Sequence, residues 1–235
     1  MLLLPVQRPE LDAIYRQTVG RKSRTICVTA ANAGEGVSAL AMALARRGAA
    51  AGLRVLLVDA NLQRPATSAK LGLRPAHWSP IDHSAAAAVA FIDEIELGVL
   101  PASVTVDPVA VRDTDNWRQM FEVDLVSYDL IVVDAPPVSS VSDRAIPTEA
   151  MAAACAATVL VVLAGVTAER HVRGAVERLS TAGATVCGAV FNDRLNPSLS
   201  EELCREVDRF KRIAPGLTAR VRNVINRSAI LNLQM

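Results

Sequence analysis

Residues 29–39 read TAANAGEGVSA, and how this stretch is read decides the fold. The P-loop pattern G-x-x-x-x-G-K-[ST], with Ala tolerated at its first position, fits Ala31, Gly36 and Ser38, while its lysine position holds Val37. A phosphate loop has to leave a strand and open a helix. Its backbone N–H groups then form an anion-binding nest at the positive end of the helix dipole. Both flanks meet that condition. The apolar run TICVTA (25–30) precedes the loop and a helix-like segment (36–51) follows it. Gly34 and Gly36 permit backbone conformations that would clash with a side chain.

Outward from the loop, apolar runs of strand length recur at 54–60, 97–101, 129–135, 157–165 and 184–192. Helix-like segments lie at 114–126, 144–155 and 168–182, and Gly52 and Gly183 fall where left-handed helix caps are expected. Continuous apolar strands alternating with helices predict a doubly wound, mainly parallel α/β sheet covered on both faces. Residues 72–96 show no regular pattern, and 201–213 reads as a further helix. The expected organisation is an N-terminal helical segment (1–20), the P-loop domain (21–196) and a C-terminal helical extension of that domain (197–235).

Composition narrows the function classes. Hydrophobic residues make up 51% of 235, enough for a large core, so the chain as a whole is not disordered. Lys and Arg number 25 against 24 Asp and Glu, which gives no electrostatic case for binding nucleic acid. The four cysteines are scattered without a C-x-x-C and read as reduced thiols, which fits a cytoplasmic protein. The uncharged stretch 150–168 is too rich in alanine for a membrane span and reads as a helix feeding a buried strand. The three histidines share no metal-ligand spacing. Residues 205–227 carry seven Lys/Arg and two acidic side chains, a solvated helix face or a contact for an anionic surface.

Two more segments complete a site. VLLVDANLQRP (55–65) ends a strand on Asp59, and YDLIVVDAPP (128–137) ends another on Asp134. Ligands of open parallel sheets bind at the carboxyl ends of the strands, so both aspartates and the loop belong to one edge. Ser38 is placed to hold Mg²⁺, with a strand-end carboxylate holding the ion or its waters.

These motifs carry a resemblance. The chain resembles the bacterial tyrosine kinases of capsular and exopolysaccharide synthesis, relatives of the MinD/ParA P-loop ATPases. That family runs P-G-E-G-K-S, then V-L-L-I-D-A-D-L-R-R-P, then Y-D-x-I-I-I-D-T-P-P. Its counterparts here are Ala33 to Ser38, 55–65 and 128–137, and the match continues through Asp143, VLAGVT (162–167) and GAVFND (188–193). The resemblance implies a MinD/ParA-like fold, ATP and Mg²⁺ as cofactors, and Asp59 and Asp134 as catalytic residues. It further implies nucleotide contacts from Gly34, Glu35, Gly36, Val37 and Ser38, with Asn192 beside adenine. The implied partner is a membrane polysaccharide co-polymerase (chain-length regulator) or its kinase, at the inner face of the plasma membrane.

The chain also departs from the family. Val37 replaces the loop lysine, Asn61 the second aspartate of D-x-D, and Gln63 the arginine after it. The ring-forming E-x-x-R-x-x-R keeps only Arg16, between Ala13 and Val19, so no octameric ring is expected. The tail tyrosine cluster is missing, and of the two tyrosines Tyr15 is N-terminal and Tyr128 opens a strand. The lysines are Lys22, Lys70 and Lys211. Lys22 precedes the first strand, ~20 Å from the loop at ~3.3 Å per strand residue; Arg64 is the first candidate to replace the missing cation. Losing the lysine weakens ATP binding roughly 10- to 100-fold, since a hydrogen bond to a charged group is worth ~1.5–3 kcal/mol. The leading expectation is a pseudo-kinase that binds ATP and Mg²⁺ weakly or not at all. The alternatives are an active tyrosine autokinase or ATPase with an unusual phosphate contact, and a MinD/ParA-like positioning ATPase.

Overall fold

A computed structural model describes residues 9–19, 23–104, 107–140 and 146–194, together with Val207. The chain divides into two units, Met1–Asn192 and Asp193–Met235. The first holds the sheet. Apart from Asp193, Arg194 and Val207, the second, with the basic stretch and the helix expected at 201–213, lies outside the described residues.

Seven strands form one sheet: β1 (Thr25–Ala30), β2 (Val55–Asp59), β3 (Ala90–Ile92), β4 (Leu97–Leu100), β5 (Leu130–Asp134), β6 (Ala157–Leu163) and β7 (Val186–Asn192). Their order is β3-β4-β2-β5-β1-β6-β7. Every pairing is parallel except β3 with β4. Strands β1, β2, β4, β5 and β6 are buried at every residue. This is why they read as unbroken apolar runs: each face of the sheet is covered by helices, so neither parity of side chain meets water.

The two faces are built from alternate residues. Ile26, Val28, Leu57, Val132 and Val161 meet α1 (Pro9–Thr18) and α2 (Val37–Ala49) on one side. Cys27, Leu56, Ile131, Val133 and Leu160 meet α4 (Thr114–Gln119), α5 (Thr148–Ala154) and α6 (Glu169–Thr181) on the other. Trp78 and Trp117 fill that second side edge to face, with ring centroids 6.2 Å apart. On the first side α2 lies very close to the sheet. A Cβ at Gly48 would come within 2.7 Å of Leu130 and 3.0 Å of Val55. α1 docks on α2 through Arg47, which pairs with Asp12 at 2.6 Å and lies over the Tyr15 ring.

Most expected elements are present, including the left-handed backbone of Gly52 and Gly183. Stretch 150–168 is the end of α5 followed by β6, and no described helix is long and apolar enough to cross a membrane. Two expectations need correction. The irregular region contains β3, a three-residue antiparallel edge strand too short to show an alternation. The helix expected over 114–126 stops at Gln119 and continues as a wide π turn, Met120–Asp124. Its end is held by the Arg24 guanidinium, which donates to the carbonyls of Phe121 (2.8 Å), Leu125 (2.6 Å) and Tyr128 (2.9 Å). A five-residue helix, α3 (Ala66–Lys70), had no readable period.

Candidate functional site

β1, β2, β5 and β6 run parallel, so their C-terminal ends meet at one edge, where β1 stands between β5 and β6. In the register there, Asp134 pairs with Asp59 on one side and with Val28 on the other. Asn192, at the end of β7, pairs with Leu163 at the end of β6. The loop 31–36 emerges among them. Gly34, Glu35, Gly36, Val37, Ser38, Asp59, Asp134 and Asn192 therefore all lie along one rim. Arg16 does not. It is exposed on α1, beside the far end of α2.

The loop has a defined internal construction. Gly36 takes a left-handed conformation (φ 109°) and immediately precedes α2. The Asn192 carboxamide donates to the Glu35 carbonyl at 2.8 Å and fills the space a Cβ on Gly36 would need. Glu35 itself is buried. Its Oε1 accepts from Asn32 Nδ2 at 2.9 Å and from Thr167 Oγ1 at 2.6 Å, while Oε2 is buried without a hydrogen-bond partner. Thr167 also accepts from the Leu163 N–H, so the loop is tied to the end of β6. Helix α2 starts without a side-chain cap and without an acidic residue in its first turn, which leaves its positive end for an external anion. Val37 packs against the apolar cluster shared with α1 and α2.

Asp59 and Asp134 are both buried, but they are not equivalent. Asp59 is well satisfied. Its Oδ2 accepts from the Ser68 N–H (2.8 Å) and hydroxyl (2.7 Å), and its Oδ1 accepts from the Asn61 N–H (3.3 Å). The Ser68 hydroxyl in turn accepts from the Ala102 N–H. Burial nonetheless raises the Asp59 pKa, outweighing those bonds. Among the described residues, Asp134 Oδ2 accepts from Thr67 Oγ1 at 2.6 Å, and its Oδ1 is buried with no hydrogen-bond partner. Burial, followed by the neighbouring charge of Asp59, pushes Asp134 up to about 7; Thr67, Ser38 and Lys70 offset part of that rise. Ser38 is near enough to favour the charged carboxylate, although no well-formed bond reaches Oδ1.

Those observations define what the edge can hold. An uncapped helix start behind a glycine turn suits a phosphate. A buried carboxylate oxygen without a donor suits a cation. No group of three His, Cys, Asp or Glu is placed to hold a metal among the described residues. Mg²⁺, however, ordinarily takes only one or two carboxylates together with waters and phosphate oxygens. Sequence reasoning missed Thr67, Ser68 and Thr167, because each acts through a partner remote in the chain or inside a helix too short to show a pattern, and Asn32, because its bond to Glu35 closes only when the loop is folded.

No family model matches the chain. It is 30% identical over 183 residues to the tyrosine-protein kinase CpsD of Streptococcus pneumoniae, a match covering 75% of this chain and 78% of that one. The chain belongs to the bacterial tyrosine-protein kinases. Among solved structures of this kinase family, the BceF tyrosine kinase domain superposes with a TM-score of 0.61 at 26% identity, covering 81% of each chain. The septum site-determining protein MinD of Pyrococcus horikoshii, solved with Mg-ADP, gives 0.56 at 21% identity over 73% of this chain and 70% of that one. That likeness shows the fold alone, and it agrees with the P-loop, MinD/ParA-like architecture. As a member of the tyrosine-kinase family, the chain keeps the two strand-end aspartates and the glycine turn. At the loop-lysine position it carries Val37, a partly buried side chain packed against the apolar cluster.

Proposed function

We propose that this chain is a degenerate tyrosine kinase of capsule or exopolysaccharide synthesis and export. In this reading it binds ATP and Mg²⁺ weakly and serves as a cytoplasmic regulatory or assembly partner of a membrane polysaccharide co-polymerase or of that system's active kinase. The observation that carries the reading is Val37, a partly buried apolar side chain packed against the α1/α2 cluster where the family places a phosphate-binding lysine. Preorganised cationic or N–H donors aimed at developing charge are worth ~3–4 kcal/mol of barrier each, so phosphoryl transfer suffers more than binding. Glycine turn, uncapped helix start and Asn192 support retention of a nucleotide pocket. The buried Asp134 oxygen without a hydrogen-bond donor supports Asp134 and Ser38 as the residues that would hold Mg²⁺, which would neutralise phosphate charge. The saturation of Asp59 by Ser68 and Asn61 supports a structural role for that carboxylate here. With Ala13 and Val19 beside Arg16, the protein forms no closed octamer.

Incubation with labelled ATP and Mg²⁺ should give no phosphotyrosine, and light scattering at micromolar concentration should show a monomer or small oligomer. Robust incorporation that is lost on Asp59→Ala would overturn the reading. It would establish instead an active autokinase with an unusual phosphate contact, the reading that the open oxygen of Asp134 favours.

A further inference from the structure

The loop lacks a cation, yet a lysine stands beside the same edge on another element. Helix α3 presses its Thr67 and Ser68 against the two buried carboxylates, with Thr67 Oγ1 2.6 Å from Asp134 Oδ2. Lys70 is three residues on, so it shares the face of Thr67. Helical side chains lean toward the N-terminus of their helix, which lays the Lys70 stem back over the Thr67 turn and toward Asp134. Leu71 and Leu73, immediately beyond, pack on the α2 cluster, which holds this end of α3 against the helix that the loop opens. Lys70 is exposed and makes no ion pair among the described residues. Its ammonium is therefore available to a ligand.

We propose that Lys70 supplies the side-chain cation that the loop lacks, contacting the phosphates of a bound nucleotide from α3 rather than from α2. The proposal rests on the reading above that this edge takes ATP. Arg64 is the other nearby cation. Its backbone N–H is engaged with Asn61 Oδ1 in the turn before α3, and its side chain is exposed. An ammonium on a flexible four-carbon stem acts as a point charge and needs no bidentate geometry, so it suits a phosphate approached from the side.

Calorimetric titration of the full chain with ATP plus Mg²⁺, and separately with adenosine, tests this. Variants are Lys70→Ala, Lys70→Arg and Arg64→Ala. Lys70→Ala should weaken ATP binding roughly 10- to 100-fold, the loss of one charge-assisted contact. Adenosine affinity and the melting temperature should stay unchanged. Lys70→Arg should restore most of the ATP affinity, and Arg64→Ala should change it less than Lys70→Ala does. If wild type binds ATP and Lys70→Ala binds it equally well, the proposal is overturned while the nucleotide reading stands. If Lys70→Ala weakens adenosine as much as ATP, Lys70 holds the fold of the site and touches no phosphate, which also overturns it. If wild type binds neither ligand, the nucleotide reading falls and the proposal with it.

Discussion

The Asn192 carboxamide lies across the glycine turn of the loop, donating to the Glu35 carbonyl at 2.8 Å from a position 157 residues away in sequence, and it occupies the place where a side chain on Gly36 would have to go. Two separate demands thus meet at Gly36: a left-handed backbone and room for an amide.

Substituting Gly36→Ala violates both demands. The left-handed conformation costs an L-residue ~1–2 kcal/mol, and crowding into a packed site adds ~1–3 kcal/mol. Unfolding in urea should show a loss of this summed order, together with lost nucleotide binding. Removing the amide relieves only the crowding. The double variant Gly36→Ala/Asn192→Ala should therefore be less destabilised than the sum of the two singles, a coupling expected of groups in contact. Strict additivity would mean that the loop relaxes away from Asn192.

Asp134 should make stability fall as pH rises. Its folded pKa of about 7 stands above the ordinary 3.8, so between these values the folded chain holds a proton that the unfolded chain has released. Stability from this group is complete below about pH 4 and is lost as pH climbs through 7, by up to roughly 4 kcal/mol at ~1.4 kcal/mol per unit. Asp134→Asn keeps an acceptor for the Thr67 hydroxyl and removes the buried charge. It should be more stable than wild type at pH 8 and lose that advantage by pH 4. Parallel stability curves for the two proteins across that window would refute the assignment. Added Mg²⁺ should narrow the gap at pH 8 if Asp134 holds the ion, since a cation favours the charged carboxylate.

The sheet was legible because it is buried on both faces. Val55–Asp59 and Leu130–Asp134 contain nothing polar until the aspartate that ends each strand, so the strand and its functional end announce one another. The loop was legible through spacing alone. What surrounds it was not. Glu35 looks like an exposed loop acid until Thr167, 132 residues on, is folded beside it. Thr67 and Ser68 look like a polar turn until Asp134 and Asp59 arrive from other strands. Arg24 looks like the residue before a strand; only the folded chain shows its guanidinium gathering three carbonyls.

That last arrangement carries its own expectation. Hydrogen bonds from a charged donor contribute ~1.5–3 kcal/mol each and are not additive when they share one group. Arg24→Ala should cost about 2–4 kcal/mol in urea unfolding. Lys offers a single point charge in place of a planar fork, so Arg24→Lys should recover only a minor part. Full recovery by lysine would show that charge near the helix end matters and the three-carbonyl geometry does not.

Val37→Lys addresses the feature that sets this chain apart. The valine side chain leaves the α1/α2 cluster, and giving up part of its apolar burial costs about 1 kcal/mol; a small drop in melting temperature should follow. In return an ammonium stands at the start of α2, beside the glycine turn and the uncapped helix end. ATP affinity should rise by roughly 10- to 100-fold, the worth of one charge-assisted bond. Phosphotyrosine formation should stay low, because Ala13, Val19 and Asn61 are unchanged. The size of the gain also depends on Lys70. A second cation gains less when the phosphates are already partly neutralised, so Val37→Lys should improve ATP binding more in a Lys70→Ala background than in wild type. Calorimetry on the four members of this cycle gives the coupling directly. Equal gains in both backgrounds would separate Lys70 from the phosphates. No gain in either would mean that the loop no longer receives a phosphate and survives as the turn that joins β1 to α2.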